Sequence, residues 1–157
     1  MVVATRIAMP RPVRYRGSVN AAEAFRAYND AVNRQDRAMA RAWVSPDLTA
    51  TVNGCPVTDI AYVDPVMDRT LLRCYPDCHR EILRTLVEGD QAAVRWRTRG
   101  TPAEDRASLP PLDVHGCVFA RVRGGRIVNV AIYYEDVGLQ AVLTRARQSC
   151  GVPAHHR

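Results

Sequence analysis

The stretch that decides the fold is YPDCHREILRTLVEGDQAAVRWRTRGT, residues 75–101. It opens on a turn, Tyr75-Pro76-Asp77, and then changes to a period of two. HREILRTLV and QAAVRWRTRG each alternate side chains between two faces, as strands do. Glu88-Gly89-Asp90 between them is short enough for a hairpin. In the second strand Arg95, Arg97 and Arg99 take one face, and Trp96 and Thr98 take the other.

Outward from this hairpin the pattern continues in both directions. Downstream, HGCVFARVRG and RIVNVAIYY read as two more strands joined at Arg123-Gly124-Gly125. Residues 101–112 form a proline-rich loop, placed to act as a lid. Asp136 to Arg147 reads as a closing helix. Upstream, Ser18 or Asn20 can cap a helix, because a side-chain oxygen there accepts from the first free amides. Ala22, Phe25, Ala27, Tyr28, Ala31 and Val32 follow at helical spacing. A second short helix carries Met39, Ala42 and Trp43 and stops at Ser45-Pro46-Asp47. DLTATVNG is a strand ending at Asn53-Gly54. A third helix starts at Thr58-Asp59, runs through Leu72 and bends at Pro65. Helices first and a meander of strands afterwards make an α+β domain. Residues 1–18 are expected to be a flexible basic leader, 19–147 the domain and 148–157 a tail.

Composition narrows the function. The chain has 157 residues and a net charge of +6, and all 22 of its basic residues are arginine. The charge is scattered, and at 6% the aromatics are too few to interleave a nucleic-acid face. Arg95, Arg97 and Arg99 are expected on a solvated outer face, so no nucleic-acid partner is expected. No apolar run approaches the roughly 18 residues of a membrane span. The start lacks the apolar core of a secretory signal. Five cysteines, an odd number, fit free thiols in a reducing compartment, and the location expected is cytoplasmic. Cys74, Cys78 and His79 are close in sequence, but no second pair follows at metal spacing, so no metal is expected.

Four segments taken together resemble the nuclear-transport-factor-2-like superfamily, which includes the ketosteroid isomerases, and most closely its SnoaL-like polyketide cyclase branch. They are AYNDAVNRQDRAMARAWVSPDLTATVNG, the quoted hairpin, the strand before GGRIV, and GGRIVNVAIYYEDVGLQAVL. They span roughly residues 20–145. The resemblance implies a conical barrel: a strongly curved, mainly antiparallel sheet whose N-terminal helices close a central cavity. It also implies acid–base ring closure of a polyketide-like intermediate in a buried apolar chamber, with no cofactor, in a homodimer. Other members of the fold open epoxides, form pyran rings or assist hydroxylation. A non-catalytic protein that holds a hydrophobic, oxygenated small molecule is the alternative from outside the enzymes.

The resemblance assigns residues one by one. Tyr28 matches a first-helix tyrosine that points into the cavity, and Asn53 matches a polar residue that binds substrate oxygen. His79 matches a histidine common after YPD-x, and Glu81 shares its face, so the two are expected to form an oriented base pair. Tyr134 is the candidate proton donor near the mouth. Trp96, Trp43 and His115 are expected along the substrate, His115 only if a bulge turns it inward. The departures concern the acids. Ile132 stands where the cyclases carry their principal aspartate, Val118 where a histidine or aspartate is frequent, and Gly54 where the isomerases carry their base. Ile132 and Val118 can shape a chamber but cannot exchange protons. For the dimer, Ile127, Ala131 and Tyr133 are expected on the outer sheet face.

Overall fold

A computed structural model of the chain describes residues 19–58 and 69–135, together with 141 and 144. The expected leader and tail and the first part of the third helix lie outside the described residues. So does the closing helix, apart from the helical and exposed Ala141 and Thr144.

Helix α1, Ala21–Asn33, begins at Asn20 in a reciprocal cap. The Glu23 amide donates to Asn20 Oδ1 at 2.9 Å, and the Asn20 amide donates to the Glu23 carboxylate at 3.2 Å, satisfying two of the amides a helix start leaves open. Asp36 caps α2, Arg37–Ala42, through the Met39 amide. Strand β1, Val44–Val52, then turns at Asn53-Gly54 into β2, Cys55–Val57. Both turn residues have positive φ, 49° and 82°, the conformation that an Asn-Gly pair accommodates in a two-residue hairpin. Helix α3 is Arg69–Cys74. The meander follows as β3, His79–Glu88; β4, Gln91–Gly100; β5, Leu112–Arg123; and β6, Arg126–Tyr134.

The six strands form one curled, cone-like sheet in the order β2-β1-β6-β5-β4-β3. Only β1 and β6 run parallel. Strand β1 starts earlier than its sequence suggests and contains Pro46. The proline falls in the irregular stretch between Val44 and Thr49, where the pairing with β6 shifts and no ladder amide is required.

The inner face carries the core. Ala92, Val94 and Trp96 of β4 pack with Val118, Ala120 and Val122 of β5, with Ile127, Val130 and Ile132 of β6, and with Ala21, Ala24 and Phe25 of α1. A second cluster lies under the turn after α3, around Leu71, Cys74, Tyr75 and Cys78. Tyr28, Val114 and Tyr134 touch both clusters.

Two bulges change which residues face inward. In β6 the register slips between Asn129 and Ile127, so Ile127 and Val130 both point inward although three residues apart. Ile127 is 2% exposed and belongs to the core, not to the outer face expected from strict alternation. In β3 the slip falls between Ile82 and Arg84. The loop after β4 is tied down along its length. Thr101 N donates to Asp77 Oδ1 at 2.7 Å, Ala103 N to Cys74 O at 2.8 Å, and the Tyr75 hydroxyl to Pro110 O at 2.7 Å. Three anchors of this kind make it a strut under the turn rather than a free lid.

Outside, two arginines of the stripe are paired with acids. Arg97 grips Asp113 with two bonds of 2.7 and 2.6 Å, and Arg99 reaches Glu81 at 3.2 Å. The Arg97 guanidinium holds the Asp113 carboxyl below its ordinary range.

Candidate functional site

The inner face holds few polar side chains. Among the described residues the buried ones are Asn29, Arg80 and Thr98, and they meet where α1 crosses the start of β3. Asn29 and Asn33 stand one helical turn apart on α1 and so share a face. Both address Arg80. Asn33 accepts from the Arg80 amide at 2.9 Å and donates to its carbonyl at 3.0 Å. Asn29 donates to the same carbonyl at 3.1 Å and accepts from the guanidinium Nε at 2.6 Å. Strand β3 lies at the edge of the sheet, where backbone groups have no neighbouring strand. The two asparagines supply that missing partner at Arg80.

The Arg80 side chain, 5% exposed, runs inward into an aromatic cage. Its guanidinium carbon lies 5.7 Å from the Phe25 ring centroid, 5.8 Å from Tyr28 and 5.9 Å from Trp96. A cation over ring faces at such distances gains about 0.5–2 kcal/mol per contact, more as water is excluded. Tyr134 extends the aromatic wall, its ring centroid 6.1 Å from that of Trp96. The indole lies across Gly116, its cross-strand partner. A Cβ on Gly116 would overlap the indole's benzene edge, so only glycine leaves room for the ring.

The expected residues therefore divide. Tyr28 and Trp96 come together around Arg80, and Tyr134 packs on Trp96. Val118 and Ile132 are directly paired across β5 and β6 and are 2% and 8% exposed, so hydrocarbon does occupy the inner positions expected for them.

His79 and Glu81 do not join this inner cluster. Both are exposed, on the face opposite Arg80, and Glu81 is paired with Arg99. They line an open groove of about 520 Å³ between α1 and the edge strand β3, whose walls also include Asn29, Asn33, Arg80 and Ile82. The physical reason is the pleat. Arg80 shares parity with Ile82, and the inward pull on Ile82 carries Arg80 with it. His115 also faces outward, its Nε2 3.7 Å from Asp113, because no bulge interrupts β5 at that point.

Asn53 closes the sheet instead of meeting a ligand. Its Oδ1 accepts from the Tyr134 amide at 3.0 Å and its Nδ2 donates to the Tyr134 carbonyl at 3.1 Å. It thus pins the backbone that carries the tyrosine ring. Asn53→Ala loses both bonds and strains a positive-φ position, so stability should fall by about 2 kcal/mol in urea titrations. Asn53→Gly, free of the backbone strain, should lose about half that. Trp43 is half-buried at the α2–β1 corner and packs on the main cluster, its carbonyl accepting from the Ile127 amide at 2.8 Å.

Cys74 and Cys78 are buried and push the pKa of the Tyr75 phenol upward, adding to the larger effect of burial. His79, next in sequence, faces solvent. Among the described residues no three His, Cys, Asp or Glu side chains gather in a metal-binding group. No described helix is long and apolar enough to cross a membrane.

Sequence reasoning missed Arg80, Asn29 and Asn33. Two signals were present: the parity of Arg80 with Ile82, and Asn29 at helical spacing between Phe25 and Val32. A polar residue at a core position needs a polar partner.

The comparisons with known proteins agree with this architecture. A family model described as a SnoaL-like domain matches residues 25–130. Among curated proteins no sequence matches the chain. Among solved structures, AclR, a candidate hydroxylase from Streptomyces galilaeus, is 20% identical. It superposes with a TM-score of 0.63 over 79% of this chain and 95% of its own. IdmH, a candidate polyketide cyclase from Streptomyces antibioticus, is 22% identical, with a TM-score of 0.63 over 78% and 97%. A candidate SnoaL-like polyketide cyclase from Jannaschia sp. CCS1 is 15% identical, with a TM-score of 0.60 over 84% and 98%. Identities this low speak for the fold alone, whereas the family match covers most of the chain. With its curled sheet under N-terminal helices, this protein belongs to the SnoaL-like family.

Proposed function

We propose that the protein is a polyketide cyclase-like enzyme that closes a ring in a hydrophobic, oxygenated intermediate without metal or organic cofactor. One observation carries the reading: an inner sheet face in which the hydrocarbon pair Val118 and Ile132 adjoins an aromatic wall bearing the hydroxyls of Tyr28 and Tyr134. In an intramolecular aldol closure a carbon acid gives its proton to water, a carbon–carbon bond forms to a ketone carbon, and the resulting alkoxide oxygen takes a proton from a tyrosine hydroxyl, which solvent then reprotonates. The wall folds the chain so that these carbons meet, and positioning of this kind is worth about 7–11 kcal/mol in favourable intramolecular models. Tyr28 and Tyr134 serve as the hydrogen-bonding and proton-donating groups at the developing oxyanion. His79 and Glu81, which face solvent, have no part in this scheme. The related chemistries of the fold, epoxide opening, pyran formation and assisted hydroxylation, would use the same wall and the same two hydroxyls.

The test is turnover of poly-β-ketone esters by purified protein, with products read by mass spectrometry and NMR. Tyr28→Phe and Tyr134→Phe should each cut the rate about tenfold or more, while His79→Ala should leave it within about twofold. Unchanged rates in both phenylalanine variants would remove the tyrosines from the chemistry. A second reading, a binding protein with no turnover, is favoured by the hydrocarbon at positions 118 and 132. Thermal stabilisation by these esters with no product formed would select it.

We also infer pairing of two copies through the outer face. Phe119 and Tyr133, 51% and 46% exposed, meet edge to face there with centroids 6.3 Å apart. The setting inferred is the cytoplasm, where the exposed Cys55 would keep a free thiol.

A further inference from the structure

Strand β3 is an edge strand, and its two halves are finished differently. In the first half Asn29 and Asn33 take up the free backbone groups of Arg80. The bulge between Ile82 and Arg84 ends that half. In the second half Gly89-Asp90 forms a two-residue loop between the partners Glu88 and Gln91. A loop of this length is closed by a pair that exchanges both backbone bonds. Alternation then turns the backbones of Arg84, Leu86 and Glu88 toward β4, and those of Thr85 and Val87 toward the free edge. Among the described residues no helix or loop supplies these two with a hydrogen bond.

The side chains on this half are apolar or of opposite charge. Leu86 and Val87 are 58% and 50% exposed. Leu86 stands in an outer-face row with Ala93 and Phe119, which follow it across the ladder. Arg84 and Glu88 flank Leu86 on that face. Neither has an ion-pair partner among the described residues. Arg84 instead faces Arg95 across the ladder, a like-charged pairing that costs stability. Four residues along one strand span about 13 Å, so Arg84 and Glu88 cannot neutralise each other within one copy.

An unpaired edge is a template for another strand. A second copy, antiparallel about a twofold axis, can set the outward residues Thr85 and Val87 against their counterparts in three registers. Centred on Thr85, the register brings Arg84 against Leu86. Centred on Val87, it brings Leu86 against Glu88. Centred on Leu86, it sets Thr85 of each copy against Val87 of the other, with backbone bonds exchanged at both pairs, and Arg84 against Glu88 twice. Charge complementarity selects the last.

We propose that two copies join edge to edge through Thr85, Leu86 and Val87 of β3, with Leu86 on the twofold axis and Arg84 of each copy paired with Glu88 of the other. The two sheets become one, and the apolar row runs unbroken from one Phe119 through both Leu86 side chains to the other Phe119. The asparagine cap on Arg80 stays in place, because the contact uses only the half beyond the bulge. This contact is separate from pairing across the outer face and independent of the proposed chemistry.

An interface of this size belongs to the weak class, so mass is followed by sedimentation velocity up to about 100 μM. Phe119→Arg removes pairing across the outer face and should leave the edge pair, so it is the background in which the edge is read. Adding Glu88→Arg sets like charges against Arg84 twice and should weaken association about tenfold or more. Adding Arg84→Glu as well restores both ion pairs in the opposite sense and should recover the pair. All three positions are exposed, and circular dichroism checks each fold. A second measurement uses oxidised glutathione. Leu86→Cys lies on the axis, where facing Cα atoms are about 4.5 Å apart, within reach of a disulfide. Leu83→Cys puts its two thiols about 20 Å apart and should link no faster than wild type. A Phe119→Arg chain that stays monomeric, a mass that Glu88→Arg leaves unchanged, a double exchange that fails to recover the pair, or equal linking of the two cysteine variants would overturn the proposal.

Discussion

Asn29→Ala should lower the free energy of unfolding by about 3 kcal/mol, which is large for the loss of one exchangeable amide. The change removes the acceptor of the 2.6 Å bond from the Arg80 guanidinium and a donor to the Arg80 carbonyl. Hydrogen bonds to charged groups contribute about 1.5–3 kcal/mol, and a neutral one about 1 kcal/mol. Asn29 is 3% exposed and Arg80 5%, so water cannot replace the lost amide without opening the packing of α1 on β3. Asn33 still holds the Arg80 backbone, which keeps the strand edge paired and limits the damage. Asn29→Asp should lose less than Asn29→Ala. A carboxylate keeps the acceptor and adds an opposite charge beside the guanidinium, at the cost of the amide donor and of repulsion from the Arg80 carbonyl. Urea denaturation gives both numbers, read at the midpoint with the slope checked for constancy. A loss under 1 kcal/mol for the alanine variant would mean that the buried guanidinium does not depend on Asn29.

Much of the architecture was legible because local chemistry and tertiary need agreed. Asn53-Gly54 marked the end of β1, although the short return strand β2 after it was not read from the sequence. Glu88-Gly89-Asp90 and Arg123-Gly124-Gly125 mark the other strand joints, and β4 alternates without a break, so Trp96 and Thr98 were placed inward from parity alone. The site was less legible, for three physical reasons. In β3 the pattern HREILRTLV sets a charged residue against the pleat. Reading inward from His79 gave one face, while the apolar Ile82 selected the other and brought Arg80 with it. In β6 a bulge adds one residue and moves Ile127 into the core, and sequence alternation carries no signal for that slip. Asn53 was expected to meet substrate because the family resemblance matches it to a polar residue that binds substrate oxygen. Its amide is instead satisfied by the backbone of Tyr134, a partner 81 residues away along the chain. Desolvation links the first and third cases: a buried polar group is placed by its partner, and the partner belongs to tertiary structure.

Gly116→Ala tests how the aromatic wall is built, and it should cost about 2–3 kcal/mol. Alanine normally suits a strand better than glycine by about 0.5–1 kcal/mol, so a loss here needs a steric cause. The cause is Trp96: the added methyl would overlap Cζ2, Cη2 and Cε2 of the indole. The ring has little freedom to retreat, since Trp96 is 5% exposed and is packed near Arg80 and Tyr134. Overpacking of this kind typically costs about 1–3 kcal/mol. The decisive comparison is a cycle with Trp96→Phe, which removes the benzene edge. Trp96→Phe alone opens a void and should destabilise the protein by about 1–2 kcal/mol. In the Gly116→Ala background that void receives the new methyl, so the double variant should be more stable than the sum of the two losses by at least 1 kcal/mol. Additive losses would mean that the indole does not lie across the glycine. The same displacement should reach Tyr134, whose ring packs on the indole. The near-ultraviolet circular dichroism of the indole should therefore change in Gly116→Ala even at temperatures where the variant remains folded.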